Sequence, residues 1–279
     1  MTQESPHPTL DHFLLTRFNV RWRGYQPTGV DPVWLAHRFE IFERFCLPSV
    51  RGQTEQGFRW LVFFDQATPE DYRRRIEEYV IWPNLLPVFL PEWSIEAARS
   101  AIASYRRPAA ETLITSRLDN DDAISSDFIS AVQREASTGF RGFLNFPDGF
   151  QWHEGRLYRL RHWSNSFASL IESAPEAEFE TILGVEHMQI IEAPAVRQIV
   201  GPARWLQVVH ERNLLNRVLG VRHPARELLL GFALDPSLAP EREPALPRLL
   251  EWGYGTGLMM LKKILWRLRK PGERRVIEA

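Results

Sequence analysis

The sequence predicts an α/β fold in which a mostly parallel sheet carries helices on both faces. Three observations predict it: short apolar runs alternate with helical patterns, helix-start signals follow several of the runs, and polar residues gather where runs end. Hydrophobic residues make up 44% and charged residues 25% of the 279-residue chain, the balance of a soluble globular protein. The length suits one large domain, or one domain with a terminal extension.

Five strands are predicted in the first half of the chain, each as a short apolar run. They span residues 12–20, 59–65, 85–91, 111–118 and 142–146. Prolines in the third run predict an edge strand, because proline cannot donate a backbone hydrogen bond. Four helices are predicted between the strands from capping residues, first-turn prolines and apolar periodicity. They begin at Asp31-Pro32, Thr68-Pro69, Ile95 and Ser126-Asp127.

The pattern changes after Pro147. It predicts a hairpin over 150–160, a helix from Asn165 to Glu172, a strand from Arg204 to His210, and another helix from Glu211 onward. A proline-rich linker at 235–247 then leads to a basic C-terminal helix. We therefore expect one globular domain over residues 1–234 and an extension over residues 235–279.

Charge and composition exclude several classes of protein. Lys and Arg number 34 and Asp and Glu 35, which argues against a nucleic-acid partner because such binders carry a basic excess. The single cysteine, Cys46, excludes an intramolecular disulfide and a cysteine-rich zinc site. The first residues form no apolar signal core, and no apolar run approaches the roughly 18 residues of a spanning helix. We expect a cytoplasmic protein.

The most specific motif is LDNDDA, residues 118–123, directly after a predicted buried strand. Three carboxylates in four positions repel each other unless a cation neutralises them. Asp119 and Asp121 can face the same way and hold Mg²⁺ or Mn²⁺, which leaves open positions for substrate phosphates. A solvated acidic turn that caps the next helix is the alternative. A calcium EF-hand loop is a poor match, because Ile124 and Ser130 stand where that loop has Gly and Glu.

Several segments together resemble the putative rhamnosyltransferase family of GT-A-type glycosyltransferases. They run in family order from about residue 13 to 216 and read LLTRFNV, CLPSVRGQ, FRWLVFFD, SRLDNDDAISSDFI, FLNFP and WLQVVHERN. The resemblance implies a GT-A (Rossmann-like) nucleotide-sugar-binding fold with a donor half at about 12–147 and an acceptor half at about 148–234. It also implies a divalent metal cofactor, Mn²⁺ or Mg²⁺, and transfer of a sugar, named as rhamnose, to an acceptor hydroxyl.

The resemblance assigns roles to residues that follow the predicted strands. The metal ligands it implies are Asp119, Asp121, Asp122 and His210. The residues it implies for binding the donor are Arg17, Asn19, Asp65, Arg117 and Asp119. Arginine suits a diphosphate because it presents paired donors to phosphate oxygens. Asp65 as a turn cap and His210 as a structural side chain are the alternatives.

An inverting transfer also needs a base that takes the proton of the acceptor hydroxyl. Glu186 in the segment GVEH loosely resembles the acidic base motif of inverting GT-A enzymes, although His187 stands where a second acid is usual. Glu186 is therefore the expected catalytic base. Asp148, Glu154 and His187 are its rivals.

Two other functions use the same residues. A nucleotidyltransferase or phosphohydrolase would employ the same carboxylates, but a sugar nucleotidyltransferase normally has a Gly-rich loop where this chain has Arg17-Phe18-Asn19. A catalytically inactive module that binds a nucleotide sugar is the third possibility.

The C-terminal segment, residues 257–275, predicts a basic amphipathic helix. Its apolar stripe consists of Leu258, Leu261, Leu265 and Leu268. Its basic residues are Lys262, Lys263, Arg267, Arg269, Lys270, Arg274 and Arg275. Such a helix can lie on the anionic inner face of a membrane, where a lipid-linked glycan acceptor would be reached. Packing of the leucines on the domain, or on a second subunit in a homodimer, is the alternative.

Overall fold

The structure is a computed structural model, and it describes residues 9–22, 28–174, 179–210, 217–224 and 227–238, with the isolated positions 253 and 257. The predicted basic C-terminal helix and most of the predicted linker lie outside the described residues. The start of the predicted helix at Glu211 also lies outside them.

Seven strands form the central sheet: β1 (Leu10–Arg17), β2 (Arg59–Asp65), β3 (Leu85–Leu90), β4 (Thr112–Arg117), β6 (Gly142–Asn145), β9 (Ser169–Ser173) and β10 (Val196–Gln198). Their order across the sheet is β10-β6-β9-β4-β1-β2-β3. Every pairing is parallel except those that β9 makes with β4 and β6. The predicted α/β fold with a mostly parallel sheet is therefore confirmed, and β3 lies at an edge as its prolines predict.

Five shorter strands form a second sheet: β5 (Ala123–Ile124), β7 (Asp148–His153), β8 (Arg156–Arg161), β11 (Trp205–Val208) and β12 (Val221–His223). Their order is β12-β8-β7-β11-β5. The predicted hairpin is confirmed as β7 and β8, which pair antiparallel. Because β5 follows β4 after five residues, residues 118–122 connect the central sheet to the second sheet.

Within the described ranges, six helices lie among the strands: α1 (Pro32–Ile41), α2 (Leu47–Arg51), α3 (Glu70–Val80), α4 (Ile95–Tyr105), α5 (Phe128–Ser137) and α6 (Leu228–Gly231). The predicted helix starts are confirmed to within two residues. The carboxylate of Asp31 accepts the N–H of Trp34 at 2.8 Å, and the hydroxyl of Ser94 accepts the N–H of Ala97 at 3.0 Å. A π-helical turn at Phe42–Cys46 joins α1 to α2. Among the described residues, no helix is long and apolar enough to cross a membrane.

Apolar side chains on both faces of the central sheet are covered by helices. Leu14 of β1 packs in one core with Phe42 of the π-helical turn. Its neighbour Phe13 packs in the core on the opposite face, together with Ile102 of α4. Successive strand residues point to opposite faces, so two adjacent apolar residues supply two separate cores. A third core lies under the second sheet and includes Leu238, which is buried.

Two predicted helices are wrong where the structure describes them. Residues 169–172 of the predicted helix Asn165–Glu172 lie in the strand β9, which is paired on both sides. An apolar run this short is ambiguous between helix and strand, and burial on both faces removes the alternation that would mark a strand. The helix predicted from Glu211 does not continue, because Val221–His223 forms β12 and pairs with β8.

Candidate functional site

The carboxyl ends of β1, β2 and β4 meet at one edge of the central sheet. Arg17, Asp65 and Arg117 are the last residues of these three strands. The loop that follows β4 is hydrogen-bonded to the residue after β1, because the side-chain amide of Asn120 donates to the carbonyl of Phe18 at 2.7 Å. Ligands bind at this edge in open parallel sheets. The structure therefore brings the predicted donor-site residues to the edge where a ligand would bind.

The three carboxylates of the loop point to different partners. Asp119 accepts from Nε and Nη2 of Arg117 at 3.1 to 3.2 Å. Asp121 Oδ2 lies 2.6 Å from Nη1 of Arg38 and 3.1 Å from Nε2 of His210. Asp122, which is buried, accepts the backbone N–H of Val208 at 2.9 Å. The loop is thus held by α1 on one side and by β11 with the residues after it on the other.

Burial and neighbouring charges shift the pKa values of Asp121 and Asp122 in opposite directions. Burial raises the pKa of Asp121, but the hydrogen bond from His210 and the charge of Arg38 outweigh it, so the pKa lies below its usual value. Burial, with the neighbouring charges of Asp121 and Asp119, raises the pKa of Asp122 well above its usual value. Two carboxylates therefore face two guanidinium groups, and the third has its pKa raised by burial and by its charged neighbours. The repulsion that predicted a bound cation is largely offset by groups of the chain itself.

The side chains suit a divalent ion that takes few ligands from the protein. Asp121 and His210 converge to 3.1 Å, and Mn²⁺ accepts both carboxylate oxygen and imidazole nitrogen. Asp119 faces Arg117 instead. Within the described ranges, no three His, Cys, Asp or Glu side chains gather in an arrangement that could hold a metal ion. Asp121 and His210 could therefore supply at most two ligands, and the remaining positions of an ion would have to be filled by phosphate oxygens or water.

The turn after β2 is held by a compact polar network around Asp65. Asp65 is fully buried, accepts the N–H of Ala67 at 2.6 Å and lies 2.9 Å from Nε of Arg21. Asn19 accepts the backbone N–H of Asp65 at 3.0 Å and donates to Thr68 Oγ1 at 3.0 Å. Asp65 therefore caps the turn, which was the alternative interpretation of this residue. The donor-binding roles of Asp65 and Asn19 stay predictions.

Arg17 lies beside two tryptophans at the same edge. Its guanidinium carbon is 4.8 Å from the centre of the Trp22 ring and 5.4 Å from that of Trp93. Trp22 is 44% exposed, whereas Trp93 is buried. A cation over aromatic rings of this kind is stabilised by their quadrupoles. The site edge thus presents an exposed indole next to a positive charge.

Glu186 lies near the Arg117–Asp119 pair. It precedes the 3₁₀ turn His187–Glu192, its side chain is exposed, and its charge helps to raise the pKa of Arg117, for which Asp119 is the largest cause. An exposed carboxylate near the loop is placed to take a proton from an acceptor. Its role as the base stays a prediction.

Asp148 and Glu154 are two of the alternatives to Glu186 as the base. Asp148 is buried and paired with Nε and Nη2 of Arg161 at 2.8 and 3.1 Å. Glu154 occupies the β7–β8 turn with a positive φ of 48°. The side chain of His187 lies outside the described part of the chain. Burial and pairing thus count against Asp148, whereas Glu154 is exposed and stays an alternative to Glu186.

The sequence did not point to Arg38, although a signal was present. Arg38 lies three residues after Leu35 and four before Phe42, on the apolar face of the predicted helix. A basic residue on such a face is almost never buried unless it is paired. That position could have indicated a buried partner, although it could not have named Asp121.

The chain matches one protein family and no curated protein. The sequence profile of the family described as "Putative rhamnosyl transferase" matches residues 28–222. No curated protein matches the chain in sequence.

The chain is similar to several solved structures at low identity. S. aureus TarS is 11% identical with a TM-score of 0.46, over 71% of this chain and 37% of that one. S. aureus TarS 1–349 in complex with UDP-GlcNAc is 12% identical with a TM-score of 0.45, over 74% and 60% of the two chains. GalNAc-T7 with UDP, GalNAc and Mn²⁺ is 14% identical with a TM-score of 0.33, over 50% and 23%. The chain thus spans less than two thirds of each of these structures.

Proposed function

We propose that this chain, which belongs to the family described as Putative rhamnosyl transferase, is a glycosyltransferase that moves a sugar from a nucleotide-diphosphate donor to a hydroxyl of a glycan or lipid-linked acceptor. The family description supports rhamnose as the sugar. A β-L-rhamnosyl donor and an α-linked product would require inversion at the anomeric carbon, an argument that rests on family analogy.

One observation carries the proposal beyond the family. The Asp119–Asp122 loop places its charged carboxylates against arginine side chains at the carboxyl edge of the sheet. A diphosphate needs cationic partners at such an edge, because negative charge gathers on it as the sugar–oxygen bond breaks. Arg117 supplies a positive charge directly beside the loop.

A divalent ion fits the same proposal. Asp121 and His210 would hold it, and Asp119 would take part only after leaving Arg117. When bound, the ion would stabilise the charge of the departing diphosphate as a Lewis acid. Metal dependence is thus part of the proposal, with Mn²⁺ or Mg²⁺ as the expected ion.

The acceptor hydroxyl would be activated by a carboxylate of the chain. We assign this role to Glu186, because its exposed side chain lies near Arg117. A general base must come within hydrogen-bonding distance of the proton that it removes. The acceptor would therefore enter beside the 3₁₀ turn that follows Glu186.

The test is product analysis with a panel of UDP- and dTDP-linked sugars, p-nitrophenyl glycosides as acceptors, and Mn²⁺ or Mg²⁺. A glycosyltransferase releases the nucleoside diphosphate and forms a new glycoside, which mass spectrometry detects together. Release of nucleoside monophosphate and sugar phosphate would instead indicate a phosphohydrolase. Binding of a nucleotide sugar without any product would indicate an inactive binding module.

Membrane contact through the C-terminal helix and formation of a homodimer stay predictions, because that segment lies outside the described residues. Co-sedimentation with anionic liposomes at low and high salt tests the first, since screening weakens attraction between exposed charges. Binding that is lost at high salt would support contact with the inner membrane face. No binding at low salt would contradict it.

A further inference from the structure

Arg38 of α1 is a nearly buried arginine with an unsatisfied hydrogen-bond donor. Only 12% of its side chain is exposed. Its Nη1 is shared between Asp121 Oδ2 at 2.6 Å and Asn120 Oδ1 at 3.1 Å. Its Nε is buried and has no hydrogen-bond partner among the described residues. A buried donor without an acceptor is destabilising, so such a group points to an acceptor that arrives with a ligand.

The surroundings of Arg38 restrict what that acceptor can be. The guanidinium carbon lies 5.0 Å from the centre of the Trp34 ring, which covers part of the group. The charged Nη1 edge faces the Asp119–Asp122 loop, where the proposed function places a diphosphate. An arginine presents its Nε–H and the adjacent Nη2–H as a parallel pair that matches two oxygens of one phosphate.

We propose that Arg38 is a diphosphate-binding residue of the donor site, which neutralises Asp121 while the site is empty and binds a phosphate oxygen through Nε–H once the donor is present. The inference rests on the proposed function. It gives Asp121 two alternative partners, Arg38 before the donor binds and the divalent ion afterwards. Arg38 therefore opposes metal binding in the empty site and favours nucleotide binding in the filled one.

The proposal predicts opposite effects of one substitution on two ligands. Arg38→Gln removes the positive charge 2.6 Å from Asp121, so Mn²⁺ alone should bind about threefold to tenfold more tightly. The same change removes a charge-assisted bond to phosphate, so UDP and dTDP should bind roughly tenfold or more weakly. A residue that only held the loop in place would weaken both ligands together.

The experiment measures free Mn²⁺ by electron paramagnetic resonance without nucleotide, and UDP or dTDP binding by calorimetry in Mn²⁺. Arg44→Gln is the matched control, because Arg44 is an exposed arginine in the same helical segment, beside the rings of Phe45 and Trp152. It removes the same charge away from the site and should change neither affinity. Arg38→Lys keeps the charge without the guanidinium pair, so it should restore weak Mn²⁺ binding but not nucleotide binding.

Each result decides the matter. The proposal is supported if Arg38→Gln binds Mn²⁺ more tightly and nucleotide more weakly. It is overturned if both affinities fall, or if the affinity for one of the two ligands does not change. If Arg38→Gln does not fold, Arg38→Lys decides, because full nucleotide affinity in that variant overturns the proposal. If the wild-type protein binds nucleotide but neither variant alters that binding, only this inference fails. If the wild-type protein binds neither UDP nor dTDP, the proposed function fails with it.

Discussion

Two turns at the same sheet edge neutralise buried carboxylates in different ways. In the turn after β2, Asp65 accepts the backbone N–H of Ala67, and its Oδ2 is paired by charge with Arg21 but has no hydrogen-bond partner among the described residues. The loop after β4 satisfies Asp119 and Asp121 mainly with arginine and histidine side chains. Backbone donors belong to the turn itself and cannot leave it, whereas a side chain can exchange its partner by changing rotamer.

The difference suggests that one turn has a structural role and the other a ligand-binding role. A backbone donor keeps its carboxylate in place, whereas a side-chain donor can exchange its carboxylate for a ligand by changing rotamer. In the proposed function, the Asp65 turn would shape the donor site, and the Asp119–Asp122 loop would contact the donor. Substitutions at Asp121, Glu186 and Asp65 test this contrast.

Asp121→Asn should have the largest effect. It removes the charge that pairs with Arg38 and His210 while keeping the shape of the side chain, so transfer should fall by about 10³-fold, measured at a temperature where the variant is still folded. Thermal unfolding should also move to a lower temperature, because the nearly buried Arg38 loses its partner. The rate of nucleoside diphosphate release measures the effect. Asp71→Asn, on the exposed surface of α3, is the control and should leave the rate unchanged. A rate in Asp121→Asn close to that of the control would contradict the assignment of the loop.

Glu186→Gln should have the next largest effect. It keeps the side-chain size but removes the proton acceptor, so turnover should fall by roughly 10² to 10⁴-fold while donor affinity stays the same. Steady-state kinetics with calorimetry of donor binding separate the two quantities. Turnover near that of the wild type would contradict the assignment and would leave His187, Glu154 or Asp148 as the base.

Substitutions of Asp65 should mainly change stability. Asp65→Ala leaves the N–H of Ala67 without its acceptor and should lower the free energy of unfolding by about 1 to 3 kcal/mol. Asp65→Asn keeps that acceptor and should cost under about 1 kcal/mol, since the partner Arg21 is half exposed. Urea denaturation measures both. If Asp65→Asn weakens UDP or dTDP binding without loss of stability, Asp65 contacts the nucleotide as well as capping the turn.

The sequence predicts which residues lie at the site edge better than it predicts which side chains pair there. Strand ends and helix starts follow from local periodicity and capping, so Arg17, Asp65, Arg117 and the Asp119–Asp122 loop were located correctly at one edge. The pairing of Arg38 with Asp121 spans 83 positions of the chain and leaves no local trace. β9 was predicted as a helix for a related reason, since only its two neighbouring strands reveal that its backbone is extended.

The edges of both sheets are poor templates for adding another strand. In the part of the chain that the structure describes, β3 ends the central sheet on one side with Pro87 at its centre, and β10 ends it on the other with three residues. The second sheet ends in β12 and β5, which have three and two residues. Short or proline-containing edge strands expose few backbone groups in register, which discourages edge-to-edge aggregation between copies. Self-association through a continuous intermolecular sheet is therefore disfavoured, and a partner would have to be recognised by side chains.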